Sequence, residues 1–68
     1  MNRLSYLRVR AKMSQRDLAA RLNVQQGSIS NWEHGRSKPT LKYIKPLARA
    51  LNVSVEELRD ALEPIKED

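Results

Sequence analysis

Between residues 26 and 31 the chain places Gln26, Gly27, Ser28, Ser30 and Asn31, short uncharged side chains interrupted only by Ile29. Gln26 and Asn31 each carry a donor and an acceptor on one planar amide, the pair that matches the N6 and N7 edge of adenine bidentately. Ser28 and Ser30 offer single hydroxyls for a base or a phosphate, and Gly27 leaves room for close approach. Just downstream, Arg36, Ser37 and Lys38 form a basic loop and Thr40 opens the next element, a set suited to phosphate oxygens. Ser14 and Gln15 stand where a helix start would present unpaired amides and a positive dipole end to a further phosphate. This chemistry is recognition, not catalysis. The one histidine, His34, has no cysteine to join it, the carboxylates cluster toward the C-terminus, and no phosphate-cradling glycine loop occurs. No enzyme activity, metal or cofactor is expected.

These residues need helices to position them. Aromatics are few while Leu and Ala are many, which favours helix over strand. Leu4, Leu7 and Ala11 recur at helical spacing and predict a first helix over residues 2–12. Ser14 followed by Asp17 approximates a capping box and opens a second helix over 15–22, which Asn23 stops in the left-handed conformation. Val24 packs the turn. The third helix runs from 25 or 26 to 34, and Gly35 ends it. Thr40 is the expected N-cap of helix four, whose inward stripe is Leu47, Ala48 and Leu51; Pro46 predicts either a kink or a loose turn before it. Asn52-Val53 repeats the earlier stop. Ser54 and Glu57 make a full capping box for helix five over 55–62, which Pro64 ends.

Residues 15–34 therefore read as two short helices joined by a tight turn, the layout of a helix-turn-helix, whose second helix lies in the DNA major groove. Counting from Gln15, Ala19 is fifth, where a small residue lets the helices approach, and Asn23 is ninth, at the turn. Ile29 is fifteenth and Trp32 eighteenth, the two apolar residues that hold the third helix on the bundle. Leu18, Leu22 and Val24 complete the inward set.

This pattern resembles the phage-repressor and Cro (XRE-like) family of helix-turn-helix DNA-binding proteins. The resemblance covers about residues 3–62. It includes Leu7-Arg8, Ser14-Gln15, Leu18-Ala19, Ile29 with Glu33 and Gly35, Pro39-Thr40, and the run Leu47-Ala48-Arg49-Ala50-Leu51-Asn52-Val53-Ser54. Asn23 departs from the glycine common there, and Pro46 is a second departure. The resemblance implies an all-α, lambda-repressor-like bundle of five short helices. It also implies base-reading positions at Gln26, Gly27 and Asn31, a backbone-contacting Gln15, and an Arg8–Glu33 pair joining helix one to the end of helix three.

With 68 residues the chain is one domain, a core over about 3–62 and a short acidic tail over 63–68. It has no cysteine, so disulfide staples and thiolate metal sites are excluded. The net charge of +5 is unevenly spread: residues 1–50 carry +9 and residues 51–68 carry −4. A basic body with an acidic end puts a polyanion-binding surface on the first part. No apolar run reaches the length of a membrane helix, and the start lacks a secretory stretch, so a soluble cytoplasmic, nucleoid-associated protein of prokaryotic or phage-like origin is expected.

A single helix reads only a few base pairs, so the expected partner is a near-palindromic double-stranded operator bound by a homodimer, either preformed or assembled only on DNA, with half-sites about 34 Å apart. Candidates for the subunit contact are Val55, Leu58, Leu62 and Ile65, of which Leu58 also fits the core. The leading function is a transcriptional regulator in the style of a compact repressor. The alternatives are an antitoxin or other protein-interaction module with secondary DNA binding, and the DNA-binding fragment of a longer repressor.

Overall fold

Each helix begins or ends at a residue with a local reason to interrupt it. The computed structural model describes residues 2–65. Among them lie α1 (Leu4–Arg10), α2 (Gln15–Leu22), α3 (Gln26–His34), α4 (Leu41–Leu51) and α5 (Val55–Leu62), with no strand. Three of these helices close in the same way. Asn23 and Asn52, both at φ 57°, and Gly35 at φ 74° take the left-handed conformation that Asn and Gly tolerate. The next amide then reaches back five residues: Val24 to the Ala19 carbonyl, Arg36 to Asn31 and Val53 to Ala48, at 3.0, 2.9 and 3.0 Å. Carbonyls that the helix leaves unpaired are thus satisfied.

The two serine caps reverse the expected ranking. At α2 the box is complete: the Asp17 amide donates to the Ser14 hydroxyl and the Ser14 amide to the Asp17 carboxylate, each at 3.0 Å. At α5 only half of it forms. The Glu57 amide donates to the Ser54 hydroxyl at 3.0 Å, while the Glu57 carboxylate instead faces Arg10 at 3.9 Å. The hydrogen bond from the Ser14 amide, then the Ser14 side chain, holds the Asp17 carboxyl below its ordinary range; slight desolvation opposes this and Arg16 adds to it. A depressed folded pKa stabilises the fold above the unfolded value of about 3.9 and is lost as pH falls through the folded value. The start of α2 is therefore expected to loosen in acid. An NMR pH titration should show the α2 first-turn amides moving below about pH 4, and Asp17→Asn should abolish that movement.

The first helix is shorter than its apolar spacing predicts. Asn2 lies outside it, buried, with its side-chain oxygen accepting from the Leu4 amide at 3.0 Å and its amide donating to the Trp32 carbonyl at 2.8 Å. At the other end Lys12 takes φ 61°, which breaks the helix before it. Pro46 lies inside an uninterrupted α4. Its missing donor would have served the Lys42 carbonyl, and both residues sit on the exposed side of that helix, open to solvent.

Leu4, Leu18, Ile29, Leu47 and Leu58 are fully buried at the centre, with Leu7, Ala19, Leu22, Trp32, Ala48 and Leu51 around them. The small Ala19 is buried in this core. Leu58 is 0% exposed, so it belongs to the core and not to a subunit contact. It lies on the inward line of α5 with Ala61, which turns it away from any partner. The tail assigned to 63–68 passes outside the described residues after Ile65.

Candidate nucleic-acid interface

α3 rests on the bundle through Ile29 and Trp32, and this decides which of its side chains face solvent. Gln26, Gly27 and Asn31 are exposed, whereas Ser28 and Ser30 are half-buried. The Ser30 carbonyl lies 2.8 Å from His34 Nδ1, so the imidazole folds back onto its own helix. Gly27 has no atom within 4 Å of where a Cβ would stand, so nothing inside the molecule demands a glycine there.

Beneath this ridge runs a chain of polar contacts. Arg8 of α1 donates from Nε to Glu33 at 2.6 Å and from Nη1 to the Met13 carbonyl at 2.9 Å. Glu33 is 4% exposed, and its second oxygen accepts from the Gln15 amide at 3.0 Å. A carboxylate only accepts, so this bond turns the Gln15 NH2 inward and its carbonyl oxygen outward. That oxygen then accepts from the Gln26 amide in a long contact of 3.4 Å. One amide hydrogen of Gln26 is thereby oriented toward the protein. Its carbonyl oxygen and second hydrogen remain free to meet a base edge.

No buried side-chain nitrogen or oxygen among the described residues lacks a partner, so the Arg8–Glu33–Gln15 cluster is electrostatically closed. Spacing alone missed this linkage of Gln15 to both Glu33 and Gln26, which depends on how α2 and α3 cross. It also missed Asn2 as a clamp on the end of α3. Its signal was an Asn two residues before an apolar-periodic segment, a common side-chain turn.

The expected phosphate-contacting residues fall at two places. Ser14 and Gln15 stand at the start of α2, the Ser14 hydroxyl engaged in its cap and Gln15 half-buried against Glu33. Arg36, Ser37, Lys38 and Thr40 are exposed in the segment between α3 and α4. Thr40 caps α4 through its backbone, and its hydroxyl makes no capping bond. Of the remaining subunit-contact candidates, Val55 and Leu62 are half-buried at opposite ends of α5 and Ile65 is exposed. Across a groove from Val55 stands Leu41, 78% exposed at the first turn of α4, which sequence patterning did not single out.

No described helix is long and apolar enough to cross a membrane. No described group of three or more His, Cys, Asp and Glu residues could hold a metal ion.

Comparison with known proteins finds two curated relatives of this arrangement. The HTH-type transcriptional regulator DicA of Escherichia coli (strain K12) is 40% identical over 52 residues, 76% of this chain and 38% of that protein. The HTH-type transcriptional activator BcrR of Enterococcus faecalis is 32% identical over 56 residues, 82% of this chain and 28% of that protein. The chain thus spans well under half the length of either relative. The sequence model of the helix-turn-helix family matches residues 4–58, which contain all five helix starts and the whole exposed ridge of α3, and the chain belongs to that family.

Proposed function

We propose that the protein is a sequence-specific double-stranded DNA-binding transcriptional regulator, acting in the cytoplasm, with α3 in the major groove. The observation that carries this reading is the polar ridge of Gln26, Gly27 and Asn31 on a helix whose opposite face is locked into the core. Two exposed cations, Arg36 and Lys38, flank it. The names of the two relatives, a transcriptional regulator and a transcriptional activator, support the same class.

Gln26 and Asn31 read adenine through their amides, Ser28 and Ser30 supplement them, and the two clusters at 14–15 and 36–40 hold phosphates and set register. No Arg or Lys stands on the ridge, so guanine is disfavoured at the positions it contacts. The experiment is an NMR titration with duplex DNA. Amides of 15, 26–31 and 36–38 should shift; movement confined to another surface would overturn the reading. Asn31→Ala should weaken specific binding by about 1–3 kcal/mol and relax preference at one base pair. Lys38→Ala should instead weaken every sequence about equally, as loss of a phosphate contact does.

Gly27 gives a separate check. A glycine in a helix interior costs roughly 0.5–1 kcal/mol relative to alanine, an upper bound for Gly27 in the first turn of α3, and here no neighbour requires it. Its use lies in the approach to DNA. Gly27→Ala is therefore expected to raise thermal stability by at most that amount while weakening operator binding.

Reading a near-palindromic operator calls for two copies, and the pairing surface centres on Val55 with the exposed Leu41 across the α4–α5 groove, Leu62 and Ile65 lying farther along. Lys42, Lys45 and Arg59 line or border that groove. Like charges oppose pairing in free solution, and nearby phosphates relieve them, so the homodimer forms on DNA.

A further inference from the structure

We propose a second self-association surface, formed by α1 and α5, at which two copies pair face to face about a two-fold axis parallel to those helices. It shares no residue with the ridge, the phosphate-contacting clusters or the Leu41–Val55 groove.

Charges of both signs lie side by side on this face. The two helices run antiparallel: the Arg3 amide donates to the Ala61 carbonyl at 2.8 Å, the Arg3 guanidinium donates to the Asp60 carbonyl at 3.2 Å, and Arg10 lies 3.9 Å from Glu57. The face therefore has a cationic row on the α1 side, Arg3 and Arg10, and an acidic row on the α5 side, Asp60 and Glu57, with Arg3 toward the Asp60 end and Arg10 toward the Glu57 end. Between them is a groove of about 220 Å³, also lined by Tyr6. Tyr6 is 62% exposed, with the Arg10 guanidinium 5.7 Å from its ring centre.

A two-fold axis running along the groove exchanges left for right and preserves height. It sets Arg3 of one copy against Asp60 of the other, and Arg10 against Glu57. Every cation then meets an acid and no like pair is opposed, so the face is complementary to itself. A flat face carrying only one sign could not do this. The chain as a whole is basic, whereas on this face two cations stand beside two acids. The exposed Tyr6 rings supply apolar area between the charge rows. On the DNA-binding reading, this contact links neighbouring operator-bound pairs.

The test uses the full chain without DNA, so its outcome is independent of operator binding. Sedimentation equilibrium at about 50 mM salt should show self-association that weakens at about 0.5 M. Arg10→Glu and Glu57→Arg occur twice in a symmetric contact, and each should weaken association about tenfold while leaving the far-UV CD spectrum unchanged. An equimolar mixture of the two variants restores both opposed pairs and should associate at least as tightly as the unmodified chain. The proposal is overturned if the single variants associate like the unmodified chain or the mixture gains nothing over either alone. It is equally overturned if Leu41→Ser alone abolishes the association, or if no concentration dependence appears up to about 1 mM.

Discussion

Glu33→Ala is expected to destabilise the fold by about 3 kcal/mol, because truncating one partner of a buried pair leaves the other uncompensated. Arg8 is only 14% exposed and would keep its bond to the Met13 carbonyl, while its Nε and the Gln15 amide lose their acceptor. A sharper result is expected from the paired change. Arg8→Met with Glu33→Leu replaces the ion pair by apolar groups of similar volume, an exchange that is often neutral or stabilising. The double variant should therefore recover most of the stability lost by either single one. Specific DNA binding should not recover with it, since Gln15 no longer has a carboxylate to turn its amide inward and its oxygen toward Gln26. Urea unfolding and duplex binding on the same four proteins measure both quantities. Stability losses that simply add in the double variant would mean that Arg8 and Glu33 are uncoupled.

Trp32→Ala should cost more, about 3–5 kcal/mol, the range for removing a large aromatic from a core. A chain of this length has roughly 3–10 kcal/mol of stability in total, so much of the population would be unfolded. The indole packs at 5.7 Å between ring centres against Tyr43 of α4, and the Trp32 carbonyl holds the Asn2 side chain. One residue thus fastens the end of α3 to both α4 and the N-terminal segment. Trp32→Phe keeps most of the packing and should retain the fold with a smaller loss. Thermal unfolding followed by circular dichroism distinguishes the two. An alanine variant as stable as the parent would place the indole outside the core.

How far the sequence could be read depended on the range of the interactions involved. Helices α2, α3 and α5 were legible because caps and stops are local: Ser14, Asn23, Gly35 and Ser54 each act within a few residues. The same locality misled at the first helix, where Asn2 and Lys12 interrupt an apolar spacing that would otherwise continue. Pro46 left two readings open because its cost depends on whether the lost bond faces solvent, which is a tertiary fact. Leu58 shows the limit of patterning on a short helix: Val55, Leu58 and Leu62 share one apolar stripe, and only packing tells the buried residue from its half-buried neighbours. Of the candidate interface, the outward set on α3 followed from subtracting Ile29 and Trp32. The Glu33–Gln15–Gln26 linkage did not follow, since it joins side chains 18 and 11 positions apart.

The central claim is that α3 reads a base sequence. Its most direct test is selection of bound duplexes from a random pool by the purified chain at fixed salt. The expected result is enrichment of a near-palindrome whose half-sites contain adenine at the positions set by Gln26 and Asn31, with centres about one helical turn apart. Recovery of a pool no different from the starting one would contradict it.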